Sequence, residues 1–514
     1  MNGQGSSSAL DACNRRRAGA IVSYLYTICS IIVSLVYVPL LLSGIGQEEY
    51  GLYQLVGSVM SYIISINSVL AAGVGRYYCM YRAEDNVVMA ENTLAISRRL
   101  YWVLSGASMA IVVALIPLVQ FVYRESFTPA QLNECSAMLV VLGLNTVVSM
   151  NNAINIAAIT AEERFVFLKM SQLLALVVQP VLIVCLTRVV PNAFMVTLVV
   201  LGMNVLCTAA QRVYAQSILK ISHVYHGWDT RLARGLLSFS VAIVLVTIAD
   251  QIFWKADQLI IGYFSGPALV AVYAIGSQIY TAYRQVGCAI SSVFFPRVSD
   301  LYHKEKNLYK VSDLYAKVGR ITFLACCFIF GAFLILGPDF ICLWAGKAYE
   351  DAYWVAALVM VSLTVDLAQT LSNTIMQVAD KYLFRGVMLL AIAVINIGTT
   401  MVLVNWIGIV GAALSTMVCM LIGCLIINVY LTRGIGLDVR LFWIEVGKLM
   451  PVFVAVTGLF GAAYWFLPLW HGNWITLFVG GVLYVVALFS ALWKFALNEY
   501  EKNLIKGLIC KVKR

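Results

Sequence analysis

The chain has 514 residues, 61% of them apolar and only 12% charged, about half the charge of an ordinary soluble domain. Its formal net charge is +10, and it holds ten prolines, thirteen cysteines and four histidines. With a mean hydropathy of +0.87, this composition excludes a string of soluble domains, a disordered chain, a collagen and a disulfide-rich secreted fold.

At about 20 apolar residues per transmembrane helix, the apolar content supplies at most about fifteen spans. Apolar stretches of about 18 residues or more begin near residues 20, 51, 100, 135, 171, 193, 236, 268, 318, 353, 386, 408, 443 and 474. They predict an all-α polytopic membrane protein with about fourteen transmembrane helices. The first stretch follows Asn14-Arg15-Arg16-Arg17 and runs to about Leu42 without a small-residue cleavage site, so a retained span is expected and not a signal peptide. No large polar domain separates the spans.

Lys255 and Arg284 lie inside spans. Every other Lys and Arg except Arg124, Arg188 and Lys347 falls on the N-terminus, the tail or one alternate set of connections. Cytoplasmic connections retain Lys and Arg, so both termini are expected in the cytoplasm. The positive charge is then a topological bias and needs no nucleic acid. The Lys-rich segment after Lys494 is expected to lie on anionic membrane lipids.

Shifted by about 220 residues, the chain resembles itself. Tyr53, Gly57 and Ser58 meet Tyr273, Gly276 and Ser277; Met80 to Asn86 meets Leu301 to Asn307; Arg76, Arg99 and Pro117 meet Arg297, Arg320 and Pro338. Six spans separate the copies, which predicts two six-helix lobes in parallel repeat, with two C-terminal helices outside it. The division is a cytoplasmic N-terminus (1–17), an N-lobe of spans 1–6 (18–235), a C-lobe of spans 7–12 (236–434), spans 13–14 (435–494) and a basic cytoplasmic tail (495–514). Repeated lobes suggest alternating access, and no short pore loop of a channel is present.

A charged side chain at mid-bilayer costs about 2.5 to 3.5 kcal/mol, so the charges inside spans are the candidate functional residues: Asp250, Lys255, Asp257, Arg284 and Asp366. At 100° per residue, Thr247, Asp250, Gln251, Trp254, Lys255, Asp257 and Gln258 share one broad face of span 7. The repeat also sets Asn145, Ser149 and Asn152 of span 4 over Asp366, Thr370 and Asn373 of span 10, each at a shift of 221. These residues are expected to line a hydrophilic central cavity whose Lys255 and Arg284 hold an anionic headgroup, with Asp250, Asp257, Asn145, Asn152 and Asn373 as further lining. The plainer alternative is interhelical hydrogen bonding, with Lys255 in a structural ion pair to Asp250 or Asp257. The other four charges sum to zero, so Asp366 is the candidate for coupling to a proton or sodium ion. Most cysteines lie in apolar runs and the histidines (His223, His226, His303, His471) are scattered in polar loops, so no metal site, cofactor or catalytic residue is expected.

Tyr50-Gly51-Leu52-Tyr53 opening span 2, Phe295-Pro296-Arg297-Val298-Ser299 ending span 8, and Gly411-Ala412-Ala413-Leu414-Ser415 in span 12 resemble bacterial polysaccharide flippases. These are the oligosaccharide-lipid members of the multidrug, oligosaccharidyl-lipid and polysaccharide (MOP) exporter superfamily. The resemblance covers roughly residues 15 to 490. It implies a transporter, not an enzyme, in the bacterial inner membrane, which flips undecaprenyl-pyrophosphate-linked oligosaccharide units for lipopolysaccharide, capsule or exopolysaccharide synthesis. It implies partners as well: the lipid-linked oligosaccharide, membrane lipids and polysaccharide polymerase machinery. Arg284, Lys255 and Asp250 match the charged residues that contact the head in that family, and spans 13–14 are expected to form a groove for the prenyl tail, as in the peptidoglycan-precursor flippases. Two alternatives stay open, a peptidoglycan-precursor lipid flippase and a cation-coupled multidrug exporter of the same superfamily. Lys255 and Arg284 weigh against a pocket for organic cations. A membrane glycosyltransferase would need a large polar outer loop that the chain lacks.

Overall fold

The structure, a computed structural model, describes residues 4–292, 294–466 and 472–512; His471, Lys513 and Arg514 lie outside them. The described residues contain helices and connections and no strand. Among the described residues, ten helices are long and apolar enough to cross a membrane, or eleven with one bent pair. The chain divides into two compact units, Met1–Ala271 and Val272–Arg514.

The first unit holds α1 (Gln4–Ile45), α2 (Gln47–Ala83), α3 (Val87–Val122), α4 (Pro129–Ala161), α5 (Phe165–Thr187), α6 (Ala193–Val213) and the first part of α7 (Thr230–Ser292). Local sequence explains where these helices start. Thr128 and Gln131 form a reciprocal capping box ahead of α4 with Pro129 at its first position, and Asn86 and Asn192 cap α3 and α6. At the centre, α4 packs on α2, α3 and α6, while α1 lies along α5. Leu70, Val74, Leu94, Met150, Leu232 and Leu236 form part of its buried core.

The unit boundary falls inside α7, beyond the 235/236 boundary that the repeat suggests, because the stretch up to Ala268 packs with the first unit. Tyr123 Oη donates to the Leu259 carbonyl at 3.0 Å, Gln47 Nε2 to the Ala268 carbonyl at 3.0 Å, and Ser58 Oγ to Gln258 Oε1. Gly51 explains one of the sequence motifs. A β-carbon there would lie 1.8 Å from the Pro267 carbonyl oxygen, so only glycine lets the kink of α7 (Gly266, φ 76°) approach α2 this closely.

The second unit continues with the rest of α7 and with α8 (Phe295–Ser299), α9 (Leu308–Trp344), α10 (Ala352–Ala368), α11 (Leu371–Val378), α12 (Tyr382–Tyr430), α13 (Val439–Gly447), α14 (Met450–Phe466), α15 (Trp474–Phe495) and α16 (Glu499–Val512). Three details differ from expectation. The Phe295–Ser299 motif is a separate short helix and not the end of a span. The expected tenth span is broken into α10 and α11 with a 44° bend, where Gln369 and Thr370 leave the helical path. The expected spans 11 and 12 run on as α12 but break at Ile407 and Gly408, whose φ is 61°; Gly411 then passes so near the Leu403 carbonyl that a β-carbon would sit 2.3 Å from it.

Arg320 of α9 ties the C-terminal elements to this unit. Its side chain is 2% exposed. Nε donates to Glu501 Oε1 at 2.6 Å, Nη1 to the Glu445 carbonyl at 2.7 Å and to Glu445 Oε2 at 3.2 Å, and Nη2 to the Ala496 carbonyl.

The internal repeat has a structural counterpart in the turns before α3 and α9. Asn86 accepts from the Met89 N–H and Asn307 from the Lys310 N–H. The residue before each cap is left-handed, Asp85 at φ 52° and Lys306 at φ 49°. Pro117 and Pro338 both lie within their helices.

Candidate functional site

In the first unit, the stripe expected on span 4 meets a matching stripe on α6. Asn204 Nδ2 donates to Asn145 Oδ1 and to Ser149 Oγ, both at 2.7 Å. One and two turns on, Asn152 Nδ2 donates to Gln211 Oε1 at 2.8 Å, and Gln211 Nε2 to Ser171 Oγ of α5 at 3.0 Å. Asn155 adds a bond to Asn152 Oδ1 at 3.2 Å. The hydrogen bonding expected under the plainer reading is therefore present, and it is not the whole arrangement. Ser149, Asn152 and Asn204, with Gly75 and Cys79 of α2 and Thr160 of α4, also line a cavity of about 560 Å³. That is the size of an ordinary ligand site. Carboxamides and hydroxyls on its wall offer donors and acceptors to a neutral polar guest.

The charged face of α7 divides. Asp257 and Gln258 are each 1% exposed, turned into the unit where Gln258 accepts from Ser58. Asp250, Gln251, Trp254 and Lys255 are half-buried, and Trp254 Nε1 donates to Asp250 Oδ1 at 3.2 Å. The polar face expected to be wet along its length is thus a packing face at Asp257 and Gln258, because α2 supplies a partner there. Lys255 forms no ion pair with Asp250, Asp257 or another carboxylate among the described residues.

In the second unit, Arg284 and Asp366 surround Cys288. The thiol is within hydrogen-bond reach of the Arg284 guanidinium and in the field of Asp366 and of Arg385 on α12. Cys424 Sγ lies 4.0 Å from Asp366 Oδ1. Just beyond the α10–α11 break, Asn373 Oδ1 is buried without a partner, as are both polar atoms of Gln369 and Arg385 Nε. Arg284, Arg385 and Asp366 thus all act on Cys288.

Sequence reasoning missed three groups. Asn204 and Gln211, seven residues apart on one face of α6, were legible as a polar stripe inside an apolar span. Arg385 was counted with the connection before span 11; α12 starts at Tyr382 and carries Arg385 into the helical body. Cys424 carries no sequence signal beyond its apolar surroundings, whereas Cys288 lies one helical turn after Arg284 on the expected polar stripe of span 8.

The family model described as "Polysaccharide biosynthesis protein" matches residues 45–354, more than half of the chain. The chain belongs to this family. The polysaccharide biosynthesis protein described here has the fold of the MOP transporters. Among solved structures, "Lipid II flippase MurJ, inward closed conformation" is 12% identical with a TM-score of 0.70, covering 93% of this chain and 98% of its own. An inward-facing multidrug resistance MATE family transporter is 14% identical with a TM-score of 0.61, covering 78% and 93%. A MOP superfamily transporter from Pyrococcus furiosus, whose title describes a binding pocket of reverse polarity, is 14% identical with a TM-score of 0.56, covering 80% and 92%. No curated protein matches the chain by sequence.

Proposed function

We propose that this membrane protein flips undecaprenyl-pyrophosphate-linked oligosaccharide units from the cytoplasmic to the outer leaflet of the bacterial inner membrane, by alternating access, for surface polysaccharide synthesis. The observation that carries this reading is the cavity of about 560 Å³ walled by Ser149, Asn152 and Asn204, in a chain of the polysaccharide biosynthesis family. Neutral carboxamides and hydroxyls suit the hydroxyl and amide groups of a sugar unit, because each presents both donor and acceptor. The diphosphate requires cations. Lys255, which no described carboxylate neutralises, is the candidate in the first unit, and Arg284 is the candidate in the second. The long prenyl chain stays in lipid. Asp366 is the group for proton or sodium coupling, since its protonation sets whether Arg284, Arg385 and Asp366 together carry one or two positive charges. The basic connections lie in the cytoplasm, with both termini.

The test is complementation of a deletion strain. Wild type should restore surface polymer, whereas Asn152→Leu with Asn204→Leu, or Arg284→Ala, should leave lipid-linked units accumulated at the inner leaflet. Full rescue by Arg284→Ala at wild-type protein level would defeat the anion role. A second reading, transport of the peptidoglycan precursor, draws on the likeness to the Lipid II flippase. Rescue of cells depleted of their own Lipid II flippase would establish it in place of the first.

A further inference from the structure

The two rows of hydrogen bonds behind the Ser149–Asn152–Asn204 cavity each run in one direction, and each direction is fixed by an atom that can only accept. Asn204 Nδ2 lies 3.2 Å from the Asn145 main-chain carbonyl, which has no proton to give, so the amide nitrogen is the end of Asn204 turned to α4. It also donates to Asn145 Oδ1 and to Ser149 Oγ. In the second row the Ser171 hydroxyl donates to the Leu168 carbonyl at 2.9 Å. Ser171 Oγ therefore accepts from Gln211 Nε2, which leaves Gln211 Oε1 to face Asn152 and makes Asn152 present its nitrogen there. Asn155 in turn donates to Asn152 Oδ1 at 3.2 Å, and its own Oδ1 is buried with no donor.

The result is a polarised wall. The amide nitrogens of Asn152, Asn204 and Gln211 are all committed to protein acceptors, whereas Asn204 Oδ1 accepts nothing among the described residues. Asn152 Oδ1 holds one donor and keeps a second lone pair. The other polar groups of the lining, the Ser149 and Thr160 hydroxyls and the Cys79 thiol, are uncharged. No cation lies on this wall. Arg76, next to the lining Gly75, is exposed and outside the lining, and Arg82, beyond Cys79, is paired with Glu162. A sugar hydroxyl can give its proton to the carboxamide oxygens and accept one from Ser149 or Thr160. A carboxylate or phosphate has lone pairs alone to offer. It would meet carbonyl oxygens, and no cation would offset the loss of its water. We propose that the cavity selects uncharged, hydroxyl-bearing sugar rings and rejects acidic ones, so that the ring lodged there carries no carboxylate, sulfate or phosphate besides the diphosphate link. This rests on the cavity being the sugar site and narrows the class of sugar it takes.

The test uses the full chain in neutral detergent and reads Cys79, an exposed thiol on the lining. Two synthetic probes, farnesyl-diphosphate-linked glucosyl-N-acetylglucosamine and glucuronosyl-N-acetylglucosamine, differ in one group of the outer ring, a hydroxymethyl against a carboxylate. N-ethylmaleimide labelling of Cys79, followed by peptide mass spectrometry, gives the concentration of each probe that halves the labelling rate. Farnesyl diphosphate without sugar is the control. The neutral probe should protect Cys79 at a concentration at least about tenfold lower than the acidic one. Thr160→Lys places a cation on the wall and keeps the reporter; it should narrow that gap to about threefold or less by improving the acidic probe. Asn204→Leu should weaken the neutral probe about tenfold and carries the result if the lysine variant fails to fold. Equal protection by the two probes in wild type, or preference for the acidic one, overturns the selectivity and leaves the sugar site standing. Protection by neither probe beyond farnesyl diphosphate overturns the selectivity and the sugar site together.

Discussion

Replacing Arg320 with methionine separates the cost of an unpaired buried charge from the cost of losing a contact. The guanidinium is 2% exposed and Glu501 6% exposed, so Arg320→Met leaves a carboxylate buried without its cation. Breaking such a pair costs about 3 to 5 kcal/mol. The Glu445 and Ala496 carbonyls also lose a donor, at about 1 to 3 kcal/mol each. The Glu445 side chain keeps Lys448 and adds little. The total is comparable with the stability of a whole domain. Yet it has an outlet, since Glu501 reaches water if α16 lifts away, so the loss should appear as release of α16 and not as global unfolding. Limited trypsin digestion in detergent should cut at Lys494 or Lys502 at least tenfold faster than in wild type, with a lower thermal midpoint. Adding Glu501→Leu removes the orphaned charge and should recover most of the loss. Unchanged digestion and an unchanged midpoint in Arg320→Met would refute this account of the anchor.

Other outcomes follow from the same geometry. Gly51→Ala forces a β-carbon to 1.8 Å from the Pro267 carbonyl, whereas Gly57 on the same helix has nothing within 4 Å; Gly51→Ala should lower stability by about 1 to 3 kcal/mol and Gly57→Ala should raise it slightly, both read as thermal midpoints. Burial, with Arg98 and Arg212 beside it, pushes His223 down to about 4, so the neutral ring favours the folded connection. That contribution is present above about pH 6.5 and is lost as pH falls toward 4. Protection of the amides of the connection 219–229 between α6 and α7, taken relative to the intrinsic exchange rate at each pH, should therefore fall between pH 6.5 and 4, and His223→Gln should flatten that dependence. Asp366→Asn should abolish dependence of transport on a proton or sodium gradient while leaving protein level and thermal midpoint near wild type; transport that still follows the gradient would remove Asp366 from coupling.

The all-α membrane class was legible because apolar length is a local property that any window reads. The repeat was legible too, and the structure places a capping Asn and a left-handed residue at both copies of one turn. What could not be read were the breaks. Gln369 departs from the helical conformation in a stretch without a proline or glycine, so no local signal marks the bend. Gly51 was recognisable as part of a motif, but its reason, a carbonyl from residue 267, is a tertiary contact with no local trace. At the site, Asn145, Ser149 and Asn152 were picked out by their spacing in an apolar helix. Their partners Asn204 and Gln211 were not sought on α6. Gln258 falls on the expected wet face because helical phase alone cannot tell water from a neighbouring serine.

The turns before α3 and α9 share one backbone shape in two unlike sequences. Asp85 and Lys306 are opposite in charge, both hold a conformation that L-residues seldom adopt, and an asparagine follows each. The shape of the turn thus tolerates either charge, and exchanging 84–86 for 305–307 should leave the architecture unchanged.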